Sequence, residues 1–310
     1  MATNKNKQDI LLESGTNEIE IMEFKIAGNL FGINVAKVRE IIMPCPIKAM
    51  PNAHEAIEGI IKPRDQVITL VNLPEYLNLP PSAEDERNLF IVTNFNQLNI
   101  AFRVHAVVGI DRISWMAIQK PDKTIYGGSD GVATGIAQCE DRLITILDFE
   151  KIVADIAPTT TIQVESVEKL GKRSLSEKPI LVAEDSILLA KMIHESLNKA
   201  GYTNLIECGD GQEAWDYLSD IDKNGNVLER VSCIITDLEM PRMDGHRLTK
   251  LVKTHPELKK IPLVIFSSLI NDEMKRKGRA LGADAQLAKP DIMQLVEVID
   301  GLIDKAEKSL

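Results

Sequence analysis

The chain has 310 residues, 46 acidic and 36 basic side chains, a formal net charge of −10, and 44% hydrophobic but only 4% aromatic residues. That length suits about two domains. The acidic balance works against nucleic-acid binding, which needs cationic surface to displace phosphate counterions, and against docking on an anionic membrane.

Residues 1–17 read as a polar leader with no signal-peptide pattern. Residues 18–154 carry short apolar runs rich in β-branched residues, such as Val67-Ile68-Thr69-Leu70-Val71, Phe90-Ile91-Val92-Thr93 and Leu143-Ile144-Thr145-Ile146-Leu147, separated by Gly, Pro and Asn. This spacing predicts an all-β domain. The stretch echoes itself: Gly59-Ile60, Asp65 and Ile68-Thr69 recur as Gly135-Ile136, Asp141 and Ile144-Thr145, each offset by 76 (135 − 59), and Val35 and Val38 recur as Val104 and Val107. Two similar β units, each supplying half of the domain, are expected. Residues 155–178, with Pro158, Thr159 to Thr161 and a run of charges, read as a linker holding one short helix around Val164 to Leu170.

From Pro179 to residue 310 the period changes. Short continuous apolar strands at Ile180 to Ala183, Leu205-Ile206, Val231 to Thr236, Leu263 to Phe266 and Ala285 to Ala288 alternate with helical patterns, the first of them Ile187, Leu188, Met192, Ile193 and Leu197 after Ser186. Five β/α repeats with such strands predict a doubly wound parallel sheet covered on both faces. The apolar stretch Ile261 to Ile270 is too short to span a bilayer and contains Pro262, so no membrane insertion is expected. Cys45, Cys139, Cys208 and Cys233 are dispersed, with no Cys-x-x-Cys spacing. That spacing points to neither a zinc site nor a disulfide framework, and it suits a reducing, cytoplasmic setting.

In an open parallel sheet, ligands bind beyond the carboxyl ends of the strands. Here those ends carry Glu184-Asp185, Asp237, Ser267 and Lys289-Pro290. With the strand order 2-1-3-4-5, the three carboxylates converge. Two such charges about 4 Å apart repel by roughly 4 kcal/mol at an effective dielectric near 20, so a cation must compensate. An oxygen-only donor set suits Mg²⁺. With Lys289 as a fixed second cation, Asp237 is placed to act as a nucleophile toward a phosphoryl group, and Ser267 to hydrogen-bond a phosphoryl oxygen.

Residues 179–310 resemble response-regulator receiver domains through Val182-Ala183-Glu184-Asp185-Ser186, Asp237-Leu238-Glu239-Met240-Pro241, Met243-Asp244-Gly245, Pro262 to Ser268 and Ala288-Lys289-Pro290. The resemblance implies a flavodoxin-like fold in which Asp237 accepts phosphate from a histidine kinase. It also implies that Mg²⁺ is held by Asp185, Asp237 and the main-chain carbonyl of Glu239, with Glu184 acting through water, and that the Lys289-Pro290 peptide is cis. Gln286 stands where receivers carry an aromatic switch residue.

Residues 18–154 resemble the CheW family through Gly32 to Ile41, Gly59-Ile60-Ile61-Lys62-Pro63-Arg64, Val67 to Leu73, Ala133 to Ile136 and Leu143 to Ile152. That resemblance implies a double β-barrel binding module, with Arg64, Glu40 and Val38 on a surface that meets chemoreceptor tips or a CheA-type histidine kinase. The two resemblances together imply a cytoplasmic adaptor at receptor arrays. It would not be a dedicated enzyme, and its coupling of receptors to the kinase would be tuned by phosphorylation of Asp237. The alternative is a phosphate sink that drains phosphoryl groups from the kinase.

Overall fold

The computed structural model describes residues 18–81, 88–95, 98–120, 131–139, 142–171, 173–223, 225 and 227–308; the leader expected over residues 1–17 lies outside them. Two compact units are present. One is made chiefly of residues 19–113 and 131–160 and the other chiefly of residues 161–308.

The N-terminal unit is built from β1 (Glu18–Ile26), β2 (Asn29–Asn34), β3 (Val38–Ile42), β4 (Ile57–Ile61), β5 (Ile68–Asn72), α1 (Leu73–Tyr76), β6 (Leu89–Phe95), β7 (Leu98–Val104), β8 (Ala106–Ser114), β9 (Ile118–Gln119), β10 (Ala133–Cys139), β11 (Arg142–Leu147) and α2 (Phe149–Ile156). They form a six-stranded sheet in the order β8-β1-β2-β11-β10-β9 and a five-stranded sheet in the order β3-β6-β7-β5-β4. The expected two-sheet β architecture is present, with two short helices added. Successive strand residues face opposite sides, and the five-stranded sheet buries both. Val71, Ile91 and Phe102 join Phe24, Phe95 and Phe149 in one core, while Ile68, Leu70, Phe90, Val92 and Ala101 fill a second. Phe149, the first residue of α2, is the hub of the larger core: its ring lies 4.9 Å from that of Phe102 and 6.2 Å from that of Phe95.

The echo at an offset of 76 is a structural repeat, whereas the echo of Val35 and Val38 in Val104 and Val107 is not: Val35 opens a 3₁₀ turn and Val104 ends β7. Gly59 pairs with Leu70 and Ile60 with Thr69; Gly135 pairs with Ile146 and Ile136 with Thr145. Each hairpin has an irregularity just before its glycine, between Ile57 and Gly59 and between Ala133 and Gly135. Each runs into a capped helix. Asn72 Oδ1 accepts from the Glu75 N–H and Asp148 Oδ1 from the Lys151 N–H, and both positions again keep the offset of 76 (148 − 72). Gly59 has φ +152°, and a Cβ there would lie 2.4 Å from the Lys48 carbonyl oxygen, so only glycine fits.

In the C-terminal unit β12 (Ile180–Ala183), β13 (Leu205–Cys208), β14 (Cys233–Thr236), β15 (Leu263–Ser267) and β16 (Ala285–Ala288) alternate with α3 (Ile187–Lys199), α4 (Gly211–Lys223), α5 (Val227–Arg230), α6 (Gly245–Thr254), α7 (Asp272–Leu281) and α8 (Ile292–Lys308). The sheet order is β13-β12-β14-β15-β16, parallel throughout, which is the expected 2-1-3-4-5 arrangement. Alternate strand residues feed two cores. Val182, Ile235 and Phe266 pack with α3 and α8, and Leu181, Ile234 and Ile265 pack with α4 and α6.

The stretch expected as a linker is fastened to this unit over its second part. Residues Val164–Leu170 form a 3₁₀ segment, and Ile162 and Val167 are buried in the core shared with α3 and α8. Arg173 donates to the Ala200 carbonyl at 2.7 Å and to Asp300 at 2.6 Å, while the Tyr202 hydroxyl donates to the same carboxylate at 2.5 Å. Burial and Asp300 together raise the Tyr202 phenol above its ordinary range. Ile162 and Val167, with Leu170 packed on the same core, anchor the strap among charged neighbours, a pattern too sparse to read as periodicity. Among the described residues no helix is long and apolar enough to cross a membrane.

Candidate functional site: the acidic pocket of the C-terminal unit

The strand ends assemble as the sequence predicts. β12 delivers Glu184 and Asp185, β14 delivers Asp237, and one carboxylate oxygen from each lies within 4.8 Å of the others. β15 ends in Ser267, fully buried, and beyond β16 comes Lys289, 2% exposed. Lys289 Nζ sits 2.7 Å from Glu184 Oε2 and 3.4 Å from Asp237 Oδ2, and the Lys289–Pro290 peptide is cis. The lysine thus lies closer to Glu184 than to Asp237. Main-chain donors fix the remaining oxygens: Ser186 N–H donates to Glu184 Oε1 at 3.3 Å and Leu238 N–H to Asp237 Oδ1 at 2.7 Å. Ser267 Oγ accepts from the Leu269 N–H at 3.2 Å, tying the hydroxyl to the loop that leads into α7. Glu239, half-buried, follows in the loop after Asp237.

The donor set fits a small hard cation: three carboxylates converge without any nitrogen or sulfur ligand. The three like charges repel one another, and Lys289 offsets only part of that repulsion.

The loop after Asp237 is held by contacts that pattern reasoning did not find. Arg242, at φ +64°, donates from Nε to Asp210 Oδ2 at 2.7 Å and from Nη2 to Glu213 Oε1 at 2.8 Å, with a further short contact from Nη2 to Asp210. Asp210 in turn caps α4 through the Gln212 and Glu213 N–H groups. The Asp210-Gly211 pair at a helix start was the available signal. Asp244 caps α6 by accepting from the Arg247 N–H at 2.7 Å, and its burial raises the carboxyl above its usual range. Gly245 is obligatory for space, since a Cβ there would lie 1.9 Å from the Asp237 carbonyl oxygen.

Gln286 packs against α7. Its Nε2 donates to the Lys275 carbonyl at 2.9 Å, and its amide lies where a Cβ of Gly278 would be, 2.3 Å from Oε1. On the N-terminal unit, Arg64 Nη2 donates to Glu40 Oε2 at 2.9 Å, with the Arg64 side chain 79% exposed. Val38 also lies on β3, but it packs against the main core and only part of it reaches the surface. Arg39 Nη1 donates to Gln66 Oε1 at 2.9 Å. The segments these contacts join expose Ile41, Met43, Ile47, Met50 and Val67.

Comparison with known proteins places both units. Residues 20–157 match the CheW-like domain family and residues 180–300 the response regulator receiver domain family. Chemotaxis protein CheV3 of Helicobacter pylori is 28% identical over 308 residues, covering 93% of this chain and 96% of that protein. Chemotaxis protein CheV2 of the same organism is 28% identical over 304 residues, covering 91% and 94%. Chemotaxis protein CheW of Thermotoga maritima is 25% identical over 145 residues, covering 47% of this chain and 94% of that protein. This chain thus pairs a CheW-like domain with a response regulator receiver domain, the architecture of a chemotaxis coupling adaptor, and is similar nearly end to end to chemotaxis proteins of the CheV type.

Proposed function

We propose that this adaptor couples chemoreceptor tips to a CheA-type histidine kinase, and that phosphorylation of Asp237 tunes the coupling. The observation that carries this reading is the pocket itself. A buried carboxylate on a strand end lies 3.4 Å from a buried ammonium, with Glu184 and Asp185 alongside. Three carboxylates converging on a buried lysine are more acid than a structural ion pair requires.

Glu184, Asp185, Asp237 and the carbonyl of Glu239 are the groups proposed to hold Mg²⁺, which when bound would neutralise charge on the transferred phosphoryl group. The Asp237 carboxylate forms the new P–O bond as the P–N bond of a donor phosphohistidine breaks, and the electron pair leaves with the imidazole. Leu238 N–H holds one oxygen of Asp237 in place, Lys289 compensates charge on the phosphoryl oxygens, and the Ser267 hydroxyl donates to one of them. Because Ser267 also accepts from Leu269 N–H, that donation bears on the loop leading into α7.

On the N-terminal unit, Arg64, Glu40 and Val38, with the exposed apolar residues on the same segments, form the proposed coupling surface for receptor or kinase. A phosphoryl group adds about 1.5 to 2 negative charges, whereas moving a population from mostly coupled to mostly uncoupled takes about 5.5 kcal/mol of differential affinity. The expected effect is graded tuning.

The test is labelling by acetyl phosphate or phospho-kinase, together with kinase activity in reconstituted receptor arrays. Asp237→Asn abolishes labelling and removes the phosphorylation-dependent change in activity. Undiminished labelling of that variant would overturn the phosphoacceptor assignment. Labelling without any change in array activity would favour a phosphate sink.

A further inference from the structure

The N-terminal unit holds a second cluster of ligating side chains, built from four strands of the six-stranded sheet. Residues two apart on a strand share a face. Ile21 and Glu23 on β1, Ala137 and Cys139 on β10, and Arg142 and Ile144 on β11 are such pairs, and Ile21, Ala137 and Ile144 are all fully buried. Glu23, Cys139 and Arg142 therefore line the end of the sheet's apolar face, with Cys139 and Arg142 directly opposite each other in register. Asp111 joins them from β8. One ligand atom each from Glu23, Asp111 and Cys139 lies within 4.8 Å of the others. Since β1, β2 and β11 separate β8 from β10 in the sheet, this convergence requires the sheet to curl on itself.

Charge and hydrogen bonding at this point are unbalanced. Arg142 Nη1 donates to Glu23 Oε2 at 2.5 Å and Nη2 to Asp111 Oδ2 at 2.9 Å. A single guanidinium thus faces two carboxylates and a thiol. Glu23 is 1% exposed, and its other oxygen, Oε1, is buried with no hydrogen-bond partner among the described residues. Leaving such an atom unmet is costly. Two carboxylates converging on the Arg142 guanidinium repel one another, so the site favours added positive charge.

We propose that Glu23, Asp111 and Cys139 form a binding site for a thiophilic divalent cation of the Zn²⁺ class, with Arg142 bracing the carboxylates through their other oxygens. Two carboxylate oxygens and one thiolate are zinc donors, and the sulfur discriminates against Mg²⁺ and Ca²⁺. The balance closes on binding: Cys139 gives up its proton to solvent, and the three anionic ligands are then neutralised by the guanidinium and the dication. The dispersed cysteine spacing bears only on ligands near one another in sequence, whereas these come from residues 23, 111 and 139. This site is independent of the phosphoacceptor pocket.

The experiment titrates metal-stripped full-length protein with Zn²⁺ against a chromophoric chelator, with excess Mg²⁺ present, and repeats the titration with Co²⁺ to seek a thiolate-to-metal charge-transfer band. One equivalent per chain is expected, retained in Asp237→Asn. Cys139→Ser weakens it by about tenfold or more, a loss at least as large as outer-shell changes cause, and removes the Co²⁺ band. Glu23→Gln weakens it as well. Circular dichroism of Cys139→Ser, a near-isosteric change, keeps the test valid if Glu23→Gln does not fold. Failure to retain an equivalent, indifference to Cys139→Ser, or loss in Asp237→Asn would each overturn the proposal. The first of these outcomes would mean that a shared proton satisfies Glu23 and Asp111.

Discussion

Gly245→Ala probes how tightly the phosphoacceptor strand is packed. The added Cβ would lie 1.9 Å from the Asp237 carbonyl oxygen, 2.9 Å from its carbon and 3.1 Å from Leu238 Cα. All three are main-chain atoms, so no rotamer change relieves the clash. Gly245 N–H also donates to the Leu238 carbonyl at 3.0 Å, which holds the two segments together. Overpacking typically costs about 1–3 kcal/mol, and an immovable partner puts this case near the top, at ~3 kcal/mol. The gain in helix propensity offsets less than about 1 kcal/mol of that. Relieving the clash displaces Asp237 from Lys289 and Leu238, and a displacement of about 1 Å can cost on the order of 100-fold in rate. Urea unfolding, followed by Trp215 fluorescence in a Trp115→Phe background, measures the first effect, and labelling by acetyl phosphate measures the second. A variant within about 0.5 kcal/mol of its parent, the range of ordinary surface changes, would refute the steric argument.

Gly301 provides the opposite case: it lies inside α8 with nothing within 4 Å of an added Cβ, so Gly301→Ala is expected to stabilise the same transition by about 0.5–1 kcal/mol, and destabilisation would contradict the open space. His246, 6% exposed, is pushed down to about 3 by burial, with Lys277 adding to the shift and the Met274 main chain opposing it. The unfolded chain therefore binds the extra proton between that value and about 6.5, so stability is lost as the pH drops through this window, by roughly 2 kcal/mol from pH 8 to pH 5. Unfolding of His246→Gln should show that much less pH dependence, and an unchanged slope would exclude His246 as the source. Val167, 2% exposed in the core shared with α3 and α8, should cost about 1–3 kcal/mol on truncation to Ala, measured on the same Trp215 transition; no change would mean that the strap is only a spacer.

The receiver pocket was legible because each of its residues sits at the carboxyl end of a strand that pattern alone identifies, and the sheet order then brings Glu184, Asp185 and Asp237 together. The hairpin repeat was legible because glycine and β-branched positions keep a constant offset. Other features depend on contacts that leave no periodic trace. The strap over Val164–Leu170 rests on a few apolar residues within a charged stretch. The Arg242 clamp joins residues 29 and 32 positions apart. The Glu23, Asp111 and Cys139 cluster exists only because a six-stranded sheet curls. Gln286 could be recognised as a departure from the receiver pattern, but its hydrogen bond to Lys275 and its seat on Gly278 needed the structure.

The two sheets of the N-terminal unit make unequal demands on a folding chain. The five-stranded sheet is drawn wholly from residues 38–104, and its parallel β5–β7 pair joins Thr69 to Ile100, 31 residues apart (100 − 69). The six-stranded sheet is completed by β2 pairing with β11, which joins Phe31 to Thr145 across 114 residues (145 − 31). Loop-closure entropy grows with this separation, and long-range pairings form late. The five-stranded sheet is therefore expected to form first as an insertion, and its folding brings the flanking strands within reach of each other. In pulse-labelled hydrogen exchange during refolding, the amides of Ile91 and Phe102 should gain protection before those of Phe31 and Thr145, and simultaneous protection would show that both sheets condense in one step.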